Sequence, residues 1–344
     1  MLTLLITILI GSVLLVTFSN VLNYKHKLQQ TSPNNYTVTS LPSTIILLIS
    51  VITKLFTSKP KKTKLTPLRY ELNDQQIHKN HVGRYAKLCG FNDLPAGDCE
   101  VPLTYPQLLG FRMQLMLFLD SAFPFQAMGL VHIANRIKQF KKITTDMKVN
   151  VVVRCEDTLL VHPKGFCFDV ICEIYSAANP KDLLWSSSSI YLCRKKHRED
   201  MSGQPQYESL IKDADSSDMK DVAEWKLKGD LGRRYASISE DYNPIHMSAV
   251  TAYFFGFSKG CIAHGLWTSA RTMGLLQTTH NVSNKLTGNA HLELYVEFKL
   301  PIFLPSAVVL ADKEDSDGGH TFQVVSAKNK TIPHMKGYFK AHKK

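Results

Sequence analysis

Ser239-Glu240-Asp241-Tyr242-Asn243-Pro244-Ile245-His246, with Cys261-Ile262-Ala263-His264-Gly265-Leu266 close behind, is the stretch on which the reading of this chain turns. Pro244 fixes its own φ and pushes Asn243 out of the helical region, so Asp-x-Asn-Pro-x-His is a rigid turn. Such a turn can aim a carboxylate and an imidazole into one cavity. That pairing serves acid–base chemistry, because histidine takes up and returns protons near neutrality. Asp241 can orient the ring, polarise a water or deliver the second proton. Gly265 stands just before an apolar run, Leu266 to Leu276, that reads as a helix. Unpaired N–H groups at a helix start suit a developing anionic oxygen. The same residues also fit an ordinary solvated turn and a packed core histidine.

Outward from that stretch, the chain past Pro67 shows one order twice. The first pass holds Tyr105-Pro106, an apolar helical run from Leu108 to Leu119, and Gly129-Leu130-Val131-His132. Strand-like segments follow at Lys148 to Glu156, Gly165 to Ser176 and Trp185 to Arg194. The second pass has the Asp241–His246 turn and the run after Gly265. Its strand-like segments are Leu292 to Leu300, Ala307 to Lys313, His320 to Lys328 and His334 to Ala341. A helix followed by several antiparallel strands, twice over, predicts an α+β pair of units, each a central helix wrapped by a curved sheet. The expected division is a membrane-associated segment and linker over 1–64, a first unit over 65–200, a polar connector over 201–222 and a second unit over 223–344.

The formal charge of +12 on 344 residues favours anionic partners. Nucleic acid is disfavoured, since no recognised motif accompanies the charge. The basic cluster Arg194-Lys195-Lys196-His197-Arg198 is either a solvated surface or a landing patch for phosphates or an acidic carrier protein. The 7 cysteines are odd in number and contain no CxxC pair, so neither a disulfide framework nor a zinc site is indicated. Leu2 to Leu22 is apolar enough for a bilayer of about 30 Å and is followed by Lys25, His26 and Lys27. It reads as an uncleaved anchor leaving both units facing the cytoplasm; a cleaved signal peptide is the competitor. Ile45 to Phe56 reads either as an interfacial helix or as a helix packed on the globular body.

Gly232-Arg233-Arg234-Tyr235, the Ser239–His246 stretch, Gly256-Phe257, Ile262-Ala263-His264-Gly265 and Val296-Glu297-Phe298-Lys299-Leu300-Pro301-Ile302 together resemble the MaoC-like (R)-specific hydratase family. The resemblance is dense from about Leu231 to Leu304, and its motifs occur in order. It implies a tandem (double) hot-dog fold of the 3-hydroxyacyl-thioester dehydratase kind. By the same resemblance Asp241 and His246 form the catalytic dyad and Gly265 supplies an oxyanion N–H, with Ala263 and His264 beside it. Asn243, Pro244 and Ser239 support the turn. Leu103-Thr104-Tyr105-Pro106 would stand where the first unit's dyad turn belongs, and Gly129 to His132 would be the degenerate partner of Ile262 to Gly265. Many members have glycine before the aspartate where this chain has Glu240, which is expected to point away. The implied reaction is reversible hydration of a trans-2-enoyl thioester to the (R)-3-hydroxyacyl thioester. The substrate would be carried on coenzyme A or acyl carrier protein, with Arg194, Lys195 and Lys196 as phosphate contacts. No metal or redox cofactor is implied, and a homo-oligomer is allowed. A thioesterase of the same fold and a non-enzymatic membrane-anchored acyl-thioester binder are the alternatives.

Overall fold

Runs such as Lys148–Cys155 and Gly165–Ser176 are rich in β-branched and aromatic residues, which pack well on a pleated surface. Both form strands in the computed structural model. The structure describes residues 28–57, 64–92, 97–194, 203–211, 218–280 and 291–342. Its strands are β1 (Leu28–Ser32), β2 (Asn35–Val38), β3 (Leu68–Gln76), β4 (Leu130–Gln139), β5 (Lys148–Cys155), β6 (Leu160–His162) and β7 (Gly165–Ser176). They continue with β8 (Leu183–Cys193), β9 (Lys220–Leu227), β10 (His291–Phe298), β11 (Ser306–Glu314), β12 (His320–Ser326) and β13 (Pro333–His342). The helices are α1 (Thr44–Thr57), α2 (Lys79–Cys89), α3 (Phe111–Leu119), α4 (Leu231–Ser239), α5 (Pro244–Met247), α6 (Ala249–Phe254) and α7 (Gly265–His280). A 3-10 turn, Tyr105–Gly110, leads directly into α3.

The 13 strands make one sheet in the order β1-β2-β3-β5-β7-β8-β4-β10-β13-β12-β11-β9, with β6 added on β7. The first unit reads β3-β5-β7-β8-β4 and the second reads β9-β11-β12-β13-β10, so the same connectivity occurs twice. The two units meet where β4 pairs antiparallel with β10, Ile137 opposite Leu294. Helix α7 is buried on more than one face: Trp267, Ala270, Met273 and Leu276 lie in the core, as do Thr268, Ser269 and Thr272. In α3, Met113, Met116 and Leu117 are fully buried. Each unit thus wraps its sheet around one central helix, a mixed α+β architecture.

The segment before Pro67 departs from expectation. Residues 28–38 form a hairpin whose second strand runs parallel to β3, with Tyr36 stacked on Tyr70 at 5.0 Å. They extend the sheet edge rather than serving as a linker. Ile45 to Phe56 falls in α1, whose 14 residues span only about 21 Å. Leu47 and Val51 are buried against the body, and Lys54 donates to the Phe118 and Asp120 carbonyls at 3.0 Å. The expected membrane-associated placement, with both units facing the cytoplasm, is corrected accordingly. Among the described residues no helix is long and apolar enough to cross a membrane. Leu2 to Leu22 lies outside the described residues.

The seam between units carries a buried charge. The Glu293 side chain on β10 is 2% exposed. Its Oε1 accepts hydrogen bonds from Arg136 on β4 at 2.8 Å and from the Tyr338 hydroxyl on β13 at 2.6 Å, and Lys138 Nζ lies 3.8 Å from Oε2. Burial pushes this carboxyl up, but Tyr338, Arg136 and Lys138 outweigh burial and hold it below the usual range. Removing one partner of a buried pair costs more than the pair itself contributes. Glu293→Ala is therefore expected to lower the unfolding free energy by about 3 kcal/mol in urea titrations. Arg136→Ala should cost less, because Tyr338 and Lys138 remain. A loss below about 1 kcal/mol for Glu293→Ala would mean that apolar packing alone holds the seam.

Candidate active site

Helix α4 ends at Ser239, and Glu240 turns the chain with φ 63°, its N–H bonded to the Ala236 carbonyl at 2.8 Å. A left-handed residue with a side chain costs about 1 kcal/mol, which explains glycine as the common occupant of such a cap. The equivalent cap of α2 in the first unit is Gly90, also left-handed at φ 74°. Glu240 instead sends its carboxylate to Arg112 on α3 at 2.7 Å and to the Thr44 hydroxyl on α1 at 3.1 Å. The reversal thereby ties the second unit to the first.

The turn that follows is held by its own side chains. The Asp241 N–H donates to Ser239 Oγ at 3.2 Å, and the Asn243 N–H donates to Asp241 Oδ1 at 3.2 Å. The Ile245 N–H donates to Asn243 Oδ1 at 3.4 Å, with Pro244 opening α5. A side chain at Gly232 would put its Cβ 1.9 Å from the His246 carbonyl oxygen, so only glycine lets α4 and α5 approach this closely.

His246 is 8% exposed, and its Nδ1 lies 2.8 Å from the Ile262 carbonyl oxygen. A carbonyl only accepts, so Nδ1 carries the proton and Nε2 is left as an acceptor. The Ile262 N–H returns to the Ile245 carbonyl at 3.0 Å. His264 Nε2 donates to the Asp241 main-chain carbonyl at 2.9 Å and lies 3.8 Å from Asp241 Oδ2. The two imidazoles stack face to face with centroids 3.7 Å apart, and Tyr235 lies 4.9 Å from His264 on its other side. Polar side-chain atoms of Asp241, His246 and His264 fall within 4.8 Å of one another. Burial, reinforced by the neighbouring His264, holds the His246 imidazole down at about 3 despite Asp241. Burial likewise holds His264 at about 4 and raises the Asp241 carboxyl, against the pull of His246 and the Asn243 N–H. The Asp241 side chain keeps 24% of its surface exposed, so the cluster opens to solvent there.

Gly265 begins α7, where its N–H falls outside the intrahelical ladder, and a Cβ there would meet the Phe298 ring at 2.8 Å. Ala263 and His264 stand beside it. The Ala263 N–H is committed to the Ile302 carbonyl at 2.9 Å, and the His264 ring to Asp241. The first unit closes the other side. His132 stacks on Tyr191 at 4.8 Å and meets Phe298 edge-on at 5.1 Å, and Gln114 Nε2 donates to the Tyr191 hydroxyl at 2.5 Å. Burial, and after it the charge of Asp241, raises the Tyr191 phenol. Gln114, Tyr191 and Arg112 carry no motif and read as core or surface positions in the sequence, whereas Phe298 falls in the Val296–Ile302 stretch.

The first unit's internal correspondence is also corrected. Tyr105-Pro106 opens the 3-10 turn before α3, the place that Ile262 to Gly265 holds before α7, not the place of the dyad turn. His132 lies on β4, after the central helix, and corresponds to no residue of Ile262 to Gly265. Pattern matching paired two histidines that follow small apolar runs; the strand order separates them. Arg194 is exposed just beyond β8, while Lys195 and Lys196 lie outside the described residues. A second grouping, His291 and His342 around Glu293 Oε2 at 3.9 and 3.4 Å, reads as part of the seam ion pair, because Arg136 and Lys138 already balance that carboxylate.

With this geometry in hand, comparison with known proteins is direct. The MaoC-like domain family model matches residues 217–332. The 3-hydroxyacyl-thioester dehydratase X of Mycobacterium tuberculosis is 30% identical over 260 residues, spanning 76% of this chain and 85% of that protein. The crystal structure of HtdX from the same organism superposes with a TM-score of 0.61 at 26% identity, covering 80% of this chain and 100% of that one. A MaoC-like dehydratase from Phytophthora capsici shares the fold with a TM-score of 0.63 at 15% identity, covering 85% of this chain and 98% of its own. The chain belongs to the MaoC-like dehydratase family and is a lyase of the dehydratase type.

Proposed function

We propose that this protein interconverts trans-2-enoyl thioesters and (R)-3-hydroxyacyl thioesters of fatty-acid metabolism, with Asp241 and His246 as the acid–base pair. The observation that carries this reading is the His246 ring, anchored by Nδ1 on the Ile262 carbonyl and grouped within 4.8 Å of an Asp241 carboxylate that solvent reaches. In hydration the pair removes one proton from water as its oxygen bonds to the β-carbon. The electrons pass toward the thioester oxygen, and one proton is returned to the α-carbon on the same face, so the dyad ends as it began. Dehydration is the reverse. The Gly265 N–H, at the positive end of α7, stabilises the enolate oxygen. Ser239, Asn243 and Pro244 keep the turn in place. The acyl group arrives on coenzyme A or acyl carrier protein, and Arg194, with Lys195 and Lys196, offers cations for the phosphates.

Asp241→Asn and His246→Gln are each expected to lower kcat/KM for crotonyl-CoA about 1,000-fold, followed as loss of the enoyl absorbance, with the melting temperature near wild type. Near-wild-type rates in both variants would remove the pair from the mechanism.

The pH profile should carry the signature of burial. His246, held at about 3, stays neutral as pH falls through the usual imidazole value of 6.5. Asp241, raised above its usual 3.8, takes up a proton first. The acid limb of hydration is expected to follow the protonation of Asp241 and not that of His246. An acid limb that instead tracks protonation of the His246 ring, followed by NMR, would mark a solvated histidine.

A further inference from the structure

We propose that His264 is a positioning residue for the Asp241–His246 pair, locking the carboxylate through its main chain and the imidazole through its ring. The inference rests on the dyad reading above and adds a third side chain to it. His264 is 3% exposed, so its ring has one packed position. From there it makes two contacts of different kind. Its Nε2 donates to the Asp241 carbonyl oxygen at 2.9 Å, which fixes the peptide that carries the acid. Its face lies on the His246 ring at 3.7 Å and 29°, which fixes the plane in which His246 Nε2 points. The His264 carbonyl meanwhile accepts the Thr268 N–H at 3.1 Å, so the residue is itself anchored on α7. The start of α7, and with it Gly265, is thereby tied to the orientation of both dyad members.

Stacked imidazoles repel when both are charged, and after burial the neighbouring His264 is the cause that holds His246 low. The charged and titratable groups around the ring are Asp241 and His246 on the turn and Tyr235 on α4. His264 Nδ1 is buried and makes no hydrogen bond. With Nε2 donating, Nδ1 is an acceptor, and no proton transfer is assigned to it.

Two substitutions separate the contacts. His264→Phe keeps an aromatic face on His246 and loses the donor to Asp241. His264→Gln keeps a donor and loses the face. With crotonyl-CoA, the phenylalanine variant is expected to lose kcat about 30-fold with KM within about threefold of wild type, and the glutamine variant to recover only part of that loss. Both remove the neighbouring imidazole, so nitrogen NMR should show the His246 titration moving up from about 3 in each. Wild-type kcat in His264→Phe overturns the proposal, as does an unshifted His246 signal in a folded variant. If the phenylalanine variant does not fold, the glutamine variant decides through the same two readouts. Activity that survives Asp241→Asn and His246→Gln would defeat the dyad reading itself, a result independent of either His264 variant.

Discussion

Ile262 grips the Asp241–His246 turn with both of its main-chain groups, its carbonyl accepting from His246 Nδ1 and its N–H reaching the Ile245 carbonyl. The arrangement of the site follows from that pair of bonds. With Nδ1–H engaged, the ring presents Nε2 and no other nitrogen to the cleft. Reaching Ile262 requires α5 to press against α4, which the absent side chain of Gly232 permits. It also requires a sharp reversal after α4, which Glu240 makes in the left-handed region. The strain there is offset in part by the ion pair with Arg112, a part-exposed contact contributing about 0.5–1 kcal/mol.

The two units share a connectivity but divide the labour. Their strands meet at β4 and β10, where Glu293 is held by Arg136 across the seam. The second unit brings the turn and the start of α7. The first brings Arg112 to brace the reversal, and His132, stacked on Tyr191, to meet the Phe298 ring that abuts Gly265. At the equivalent helix end the first unit has Gly90-Phe91 and no acid–base pair follows it, so it acts as wall and brace.

Burial sets the proton chemistry. Two imidazoles packed face to face away from water resist charge, and a carboxyl beside them is raised. The site therefore keeps its histidines neutral far below their solution range, while the partly exposed Asp241 carboxyl is raised above its own. An acid and a base held apart in this way suit a reaction that takes a proton from water and gives one to carbon.

The sequence by itself determined the rigid turn, the acid and the imidazole on it, the glycine at the start of α7 and the doubled α+β order. Each rests on short-range rules: proline's fixed φ, the helix-start donors and the period of apolar residues. It misplaced the first unit's correspondence, because a histidine after a small apolar run looks alike on a strand and before a helix. It set Ala263 and His264 beside the Gly265 N–H, but adjacency along the chain does not reveal that the Ala263 N–H is already bonded to Ile302. It also took Gln29 to Ser40, within 1–64, for a linker. Only tertiary structure decided those points, along with the His246–His264 stack, the Glu240–Arg112 tie and the Tyr191 wall. All of these join residues far apart in the chain, and such pairings are set by how the elements pack rather than by local preference.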